Sequence, residues 1–187
     1  QTNPPLLLQQ YVLHLGIMPT ARTIEQLTLQ ALPSDTMQWQ QARLQTAFIS
    51  PYRADEDFNS RLISLLDGLL AKMPVQPVQQ IVYLLLPEFT GPDNPQLNAL
   101  LQGIMQRYPD LLQSEHCRVF PYGAAASLMA LNAASRQLAQ GGEGQAIWFF
   151  ALDSLCQPAV FASYLADNAA YVLSEGALAL CIGRSAT

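Results

Sequence analysis

The chain has 187 residues, of which 50% are hydrophobic and 12% charged, so it can bury a sizeable core and is not disordered in bulk. Its net charge of −5 comes without any cluster of lysine and arginine, which argues against nucleic-acid binding and against attachment to anionic membranes. No apolar run approaches the roughly 18 to 20 residues that a membrane-spanning helix needs.

The cysteines and the N-terminus indicate the compartment. Cys117, Cys156 and Cys181 lie in unrelated contexts, with no CxxC pair and no Cys/His spacing typical of a metal site. The first residues lack the basic segment and the cleavage site of a signal peptide. We therefore expect reduced, buried thiols in a cytoplasmic protein that holds no metal and no cofactor.

The N-terminal third is predicted to contain one strand and little other regular structure. An apolar run over residues 11–17 predicts the first strand, and residues 23–32 predict a short helix. Residues 33–60 form the least regular part of the sequence. We interpret them as an irregular or inserted segment that contains a helix near residues 37–48.

The middle of the chain carries clear helix and strand signals. Apolar residues at steps of three and four predict a helix between Asp57, a candidate N-cap, and Pro74. The continuous apolar run at residues 80–86 suits a strand buried on both faces of a parallel sheet. Asn94 and Pro95 then predict the start of a second helix.

The C-terminal part continues the alternation of strands and helices. An alanine-rich helix is predicted at residues 124–140 and a short helix at 157–166, between strands at 117–121, 146–152 and 177–182. The last strand is expected to run antiparallel to the one before it. This alternation predicts one layered α/β domain over residues 1–187, with a five-stranded, mixed and mostly parallel sheet and helices on both faces.

Four short stretches stand out by their order and spacing. They are Gly16 to Pro19, Phe120 to Gly142, Ala151 to Pro158 and Ser174 to Leu180. Together they resemble the N-terminal half of the thiolase and β-ketoacyl synthase superfamily. The resemblance implies a thiolase-like half domain, with the alanine-rich helix lying centrally between two sheets. An ordinary alanine-rich core helix and an unrelated α/β fold stay open as alternatives.

The resemblance also implies a catalytic cysteine at the start of the central helix, where this chain has an alanine. Counting back from Gly141 places that position at Ala124, within one residue. In the family the nucleophile is a thiolate whose pKa the helix dipole lowers. Cys117 belongs to the preceding predicted strand, and neither His14 nor His116 matches a histidine of the family. We therefore expect no enzymatic activity from this chain alone.

In members of the family, one side of the central helix packs against the second half of the molecule. A half domain on its own would expose that side. A large apolar patch of this kind is costly in a monomer. We therefore predict a homodimer, or an obligate partner chain, that covers residues 123–140. The residues expected at this interface are Ala124, Ser127, Leu128, Leu131, Ser135 and Leu138.

Three functions are compatible with these expectations. The favoured hypothesis is a non-catalytic, thiolase-like protein that acts through protein–protein interaction, as an adaptor or accessory factor in a bacterial assembly or secretion system. The first alternative is a non-catalytic subunit that completes an active site or acyl tunnel with a partner chain in a ketosynthase or acyltransferase complex. The second alternative is a module that binds an acyl chain or another small molecule.

Overall fold

The structure is a computed structural model that describes residues 5–27, 34–89 and 94–184. Within these ranges the strands are β1 (Leu6–Leu15), β2 (Asp35–Trp39), β3 (Ala42–Ala47), β4 (Ile81–Leu85), β5 (Arg118–Phe120), β6 (Ala146–Ser154) and β7 (Leu173–Arg184). The helices are α1 (Phe58–Lys72), α2 (Pro95–Arg107), α3 (Ala126–Gln140) and α4 (Pro158–Ala166). None of these helices is long and apolar enough to cross a membrane.

The strands form one mixed sheet in the order β2-β3-β7-β6-β4-β5, and β1 also pairs with β7. β4 runs parallel to both β5 and β6, whereas β7 runs antiparallel to β6 and to β1. The expected antiparallel last strand is therefore confirmed. Each of the five predicted strands is present, but the expectation of a five-stranded sheet is wrong because β2 and β3 add two more among the described residues.

The two additional strands form a hairpin in the segment that we interpreted as irregular or inserted. β2 pairs antiparallel with β3, so the predicted helix near residues 37–48 is wrong. The turn places Gln40 at φ 54°, a conformation that glycine or asparagine usually supplies, and the sequence therefore lacks a turn signal there. The described part of the predicted helix at 23–32 contains only a short 3-10 helix, Ile24–Gln26, and residues 28–33 lie outside the described ranges.

Helices α1 and α2 cover one face of the sheet. The Asp57 carboxylate accepts a hydrogen bond from the Ser60 backbone N–H at 3.1 Å, which confirms Asp57 as the N-cap of α1. The apolar stripe of α1 packs against side chains of β4 and β6 on this face. The core of this face includes Leu62, Leu66, Leu69, Val82, Leu84, Ile104, Trp148 and Phe150.

Helix α3 covers the opposite face, since alternate residues of a strand point to opposite sides of a sheet. Its buried residues recur every four positions and pack against aromatic side chains of β4, β5 and β6. They are Ala126, Ala130, Ala134 and Leu138, and the aromatic residues are Tyr83, Phe120 and Phe149. The small alanines let the helix approach the sheet closely. The prediction of helices on both faces is thus confirmed.

The hairpin and α4 enclose a smaller core of their own. Phe161 of α4 is fully buried there, and its ring centroid lies 5.5 Å from that of Trp39 in an edge-on arrangement. β3 joins β7 through only two residue pairs, at Thr46 and Ala47. We refer to β2, β3 and α4 together as the hairpin lobe.

The turn after β1 packs tightly against β3 and β7. The Gly16 N–H donates a hydrogen bond to the Glu175 carbonyl at 2.8 Å. A Cβ atom added to Gly16 would lie 2.0 Å from the carbonyl oxygen of Ala47. Because that oxygen belongs to the backbone of a buried strand, only glycine fits at this turn.

Candidate functional site

A cleft opens where several strand ends meet the start of α3. The C-terminal ends of β4 and β6, the end of β1, the start of β7 and residues 123–127 surround a volume of about 500 Å3. The lining is chiefly apolar and includes Leu15, Ile17, Leu85, Pro87, Ala126, Ala151, Leu155 and Leu178. Ligand sites of α/β proteins usually form at such an edge of the sheet. This cleft is therefore the candidate site.

The start of α3 forms one wall of the cleft. Gly123 adopts φ 57°, and its N–H donates to the Leu86 carbonyl at 3.0 Å, which fixes the helix start beside the end of β4. Ala124 and Ser127 follow, both exposed and both lining the cleft. Ala124 therefore lies at the cleft with no reactive group on its side chain.

Thiols and imidazoles lie elsewhere: no cysteine or histidine is among the described residues that line the cleft. Burial raises the pKa of the Cys156 thiol to about 12 and also raises the pKa of Cys181. The Cys117 sulfur accepts a hydrogen bond from a backbone N–H of β4 at 3.3 Å. His14 packs against α1, and His116 is exposed before β5. Across the described ranges, no group of histidine, cysteine and acidic residues could hold a metal ion.

Asp153, near the end of β6, brings a carboxylate to the cleft. Its Oδ1 accepts a hydrogen bond from the Ser154 backbone N–H at 2.8 Å. Desolvation by the surrounding protein raises the pKa of Asp153, although this hydrogen bond acts in the opposite direction. No lysine, arginine or histidine is among the described residues that line the cleft. The site therefore carries a negative charge without a basic partner.

Glu175 of β7 is the second acidic residue at the cleft, but it directs its carboxylate toward α1. Its Oε1 lies 2.7 Å from Nη1 of Arg61, and the two side chains are 0% and 3% exposed. The Ser154 hydroxyl donates to Oε2 at 2.7 Å, and the Ile49 N–H donates to Oε1 at 2.8 Å. Both carboxylate oxygens are thus satisfied, so this cluster ties α1, β6 and β7 together rather than serving the cleft. This cluster was not predicted from the sequence, because Arg61 lies within the apolar pattern of α1.

The exposed flank of α3 begins at the cleft and continues along the helix. Ala124 and Ser127 line the cleft, and Leu128 and Leu131 follow on the same flank. Leu128 is 74% exposed and Leu131 is 39% exposed, which is unusual for leucines on a helix packed against a sheet. We refer to these four residues as the open face of α3.

Two other residues predicted for this interface lie differently. Leu138 is buried against the sheet, because it continues the stripe of small residues formed by Ala126, Ala130 and Ala134. It belongs to the core of this chain rather than to an exposed face. Ser135 is half-buried, and its carbonyl accepts a hydrogen bond from Nη2 of Arg184 at 2.8 Å.

Comparisons with known proteins assign no family to this chain. No family model matches the chain, and no curated protein matches it. The chain is similar to a solved structure named "ChlB3 [Aceyltransferase]", with a TM-score of 0.45 and 13% sequence identity. The similarity covers 77% of this chain and 40% of that one, so the matched part spans less than half the length of that protein.

Proposed function

We propose that this chain is a non-catalytic, thiolase-like protein that acts by binding another protein chain through the open face of α3. The observation that carries the proposal is the exposure of Leu128 and Leu131, which are neighbours one turn apart on the helix surface. Burying a leucine side chain stabilises a complex by roughly 1.5 to 3 kcal/mol before the costs of association. Two adjacent exposed leucines therefore provide an apolar anchor for a partner.

The chemistry of the cleft supports the non-catalytic part of the proposal. Acyl transfer by a thiolase-like mechanism needs a thiolate at the helix start, and by the resemblance Ala124, which lines the cleft, corresponds to that position. Ser127 and Ser174 bring hydroxyl groups to the cleft. A serine nucleophile needs an adjacent base, and neither histidine of the chain lies there.

The test compares the mass of the chain in solution with that of a variant whose open face is charged. The chain alone has a mass of 20.5 kDa, so a homodimer is readily recognised by light scattering over a series of concentrations. We expect the wild type to dimerise and Leu128→Glu/Leu131→Glu to be monomeric. Val75→Glu is the matched control, because Val75 is 75% exposed and lies in the loop between α1 and β4. It should dimerise like the wild type.

A wild-type chain that stays monomeric at every concentration would rule out self-association and leave a different partner. A photo-crosslinking amino acid at position 128, introduced in cells that naturally make the protein, then distinguishes the remaining cases. Position 75 serves again as the control. A defined crosslinked product from position 128 alone supports a partner chain, whereas equal products or none at both positions would contradict the proposal.

A second candidate function rests on the position of the cleft. Ala124 and Ser127 belong both to the cleft and to the open face, so a chain docked on α3 would form a further wall of the cleft. This arrangement favours a non-catalytic subunit that completes an active site or acyl tunnel with its partner. Co-purification with a chain that supplies a catalytic cysteine and histidine would support this function over that of an adaptor.

A further inference from the structure

The cleft combines apolar walls with one carboxylate that has no basic partner. We propose that it binds a ligand with a positively charged amine on an apolar body, and that the amine pairs with Asp153. This site does not depend on docking at the open face of α3.

The basic side chains of the protein all lie outside the cleft. The nine lysines and arginines and the two histidines of the sequence all fall within the described residues, and none lines the cleft. Several are already engaged: Arg61 pairs with Glu175, and Lys72 donates to the carbonyls of Leu13 and Pro19. The chain therefore supplies no side chain that could neutralise Asp153 within the cleft.

The Asp153 carboxylate can accept a further hydrogen bond. Within the described part of the chain, Oδ1 of Asp153 accepts a hydrogen bond from the Ser154 N–H, and Oδ2 accepts none. Oδ2 is therefore available to a ligand. Desolvation by the protein already raises the pKa of this group. Asp153 is exposed at the cleft, so a bound ammonium would replace water at the carboxylate, and a hydrogen bond between two charged groups is among the stronger ones in proteins.

The shape of the cleft fits the apolar part of such a ligand. A volume of about 500 Å3 falls within the usual range for small-molecule sites. Leu15, Ile17, Leu155 and Leu178 line it and are only half-buried, so they keep apolar surface to offer. An alkyl chain laid along these residues would exchange contact with water for contact with protein.

The start of α3 would by itself favour an anion, whereas the Asp153 carboxylate favours a cation. The larger of these two charges decides the sign of the ligand charge. A helix N-terminus carries the equivalent of roughly half a positive charge. An ionised Asp153 carries a full negative charge in the same cleft and outweighs it. An anionic ligand would therefore be repelled overall, and a cationic one attracted.

The experiment uses three probes with the same eight-carbon chain: n-octylamine, n-octanoate and n-octanol. Binding to the full chain is followed at neutral pH by chemical-shift titration and calorimetry. We expect octylamine to bind at least about tenfold more tightly than either other probe, since a charged hydrogen bond is worth roughly that factor. An amine that is two methylenes shorter, n-hexylamine, should bind roughly tenfold more weakly than octylamine, because it buries less apolar surface.

The variant Asp153→Asn removes the charge at nearly constant size. It should reduce octylamine affinity by at least about tenfold and leave octanol affinity unchanged. Glu143→Gln is the matched control, because Glu143 is an exposed carboxylate in the loop after α3 and does not line the cleft. Two results would overturn the proposal. In the first, octanoate binds as tightly as octylamine; in the second, Asp153→Asn does not weaken the binding of octylamine.

A free amine and a lysine side chain from a docked protein share this chemistry, and light scattering of Asp153→Asn separates them. If a lysine of the associating chain enters the cleft, the variant should weaken association together with octylamine binding. If the ligand is a small molecule, association should match that of the wild type while octylamine binding is lost. A variant that weakens association without affecting octylamine binding would contradict both cases.

Discussion

Arg61 and Glu175 are the side chains whose loss should affect stability most. Both are buried, and the guanidinium also donates to the carbonyls of Ser50 and Pro51. We expect Arg61→Met to lower the free energy of unfolding by about 3 to 5 kcal/mol, because it leaves the Glu175 charge buried without its partner. Denaturant titration measures this loss.

The control for that prediction is an ion pair in solvent. Arg53 and Asp55 lie 3.0 Å apart with side chains 71% and 74% exposed, and solvent screens their attraction. Arg53→Met should therefore leave the unfolding midpoint unchanged. Similar effects of the two substitutions would show that the buried pair contributes no more than an exposed one.

His14 should make the stability of the protein depend on pH. Burial, followed by the nearby Lys72 charge, lowers its pKa in the folded state, and the Glu175 charge opposes the shift only in part. A depressed folded pKa means that the unfolded chain takes up a proton first. The stability due to neutral His14 is therefore present above about pH 6.5, the usual histidine pKa, and is lost as the pH falls through the lowered value.

The measurement is the free energy of unfolding between pH 8 and pH 5, taken at intervals of roughly half a unit. The wild type should lose stability over the acid part of this range more steeply than His14→Gln. His116→Gln, at an exposed position, should follow the wild-type curve. Parallel curves for the wild type and His14→Gln would contradict the prediction.

Single residues of the site could be predicted from the sequence only in part. The resemblance predicts Ala124 at the helix start and Ser127 at the exposed interface of the helix, and the structure brings both to the cleft. Asp153 and Ser154 lie in a stretch that the sequence singles out, and strand alternation requires them to face opposite sides. Which side holds the cleft depends on how helices pack on the sheet, and no local pattern encodes that.

At the scale of elements, α3 depends on the small size of the residues facing the sheet. Ala134 is fully buried on its inner side, whereas Leu131 is exposed on the open face. We expect Ala134→Leu to reduce the free energy of unfolding by about 1 to 3 kcal/mol, because the larger side chain has no space. Leu131→Ala should change stability little. Denaturation of both variants checks this, and an equal effect of the two would be evidence against close packing of α3.

Strong periodicity made most of the elements predictable. The helix α1 follows the predicted apolar stripe, and β4 coincides with a continuous apolar run. The hairpin of β2 and β3 was missed because its turn uses Gln40 with positive φ instead of glycine or asparagine. Without a turn residue, a glutamine-rich segment with scattered apolar residues suggested a helix.

At the scale of the whole molecule, the layers could be predicted but the strand neighbours could not. An alternation of strands and helices is sufficient to indicate helices on both faces of a sheet. The pairing of β1 with β7, however, joins opposite ends of the chain, with Leu6 opposite Arg184. Which strands become neighbours, and in which register, is decided only when the whole sheet forms. The cleft lies between elements brought together in this way, which is why its composition emerges only from the fold.

The narrow attachment of the hairpin lobe has a consequence for the cooperativity of unfolding. Trp39 packs in the core of this lobe, whereas Trp148 belongs to the large core under α1 and donates to the Gln80 side chain at 2.7 Å. Each tryptophan therefore reports on a different core. Trp148→Phe leaves only the fluorescence of Trp39, and Trp39→Phe leaves only that of Trp148.

The strand pairing joins the lobe to the rest of the sheet through only two residue pairs of β3 and β7, so the lobe depends largely on its own small core. We expect the Trp39 signal to change at a lower denaturant concentration than the Trp148 signal, with circular dichroism checking that both variants keep the same overall midpoint. Coincident fluorescence transitions would instead indicate a single cooperative unit. A chain with two separate transitions would have an intermediate in which the sheet and the cleft persist after the lobe has melted.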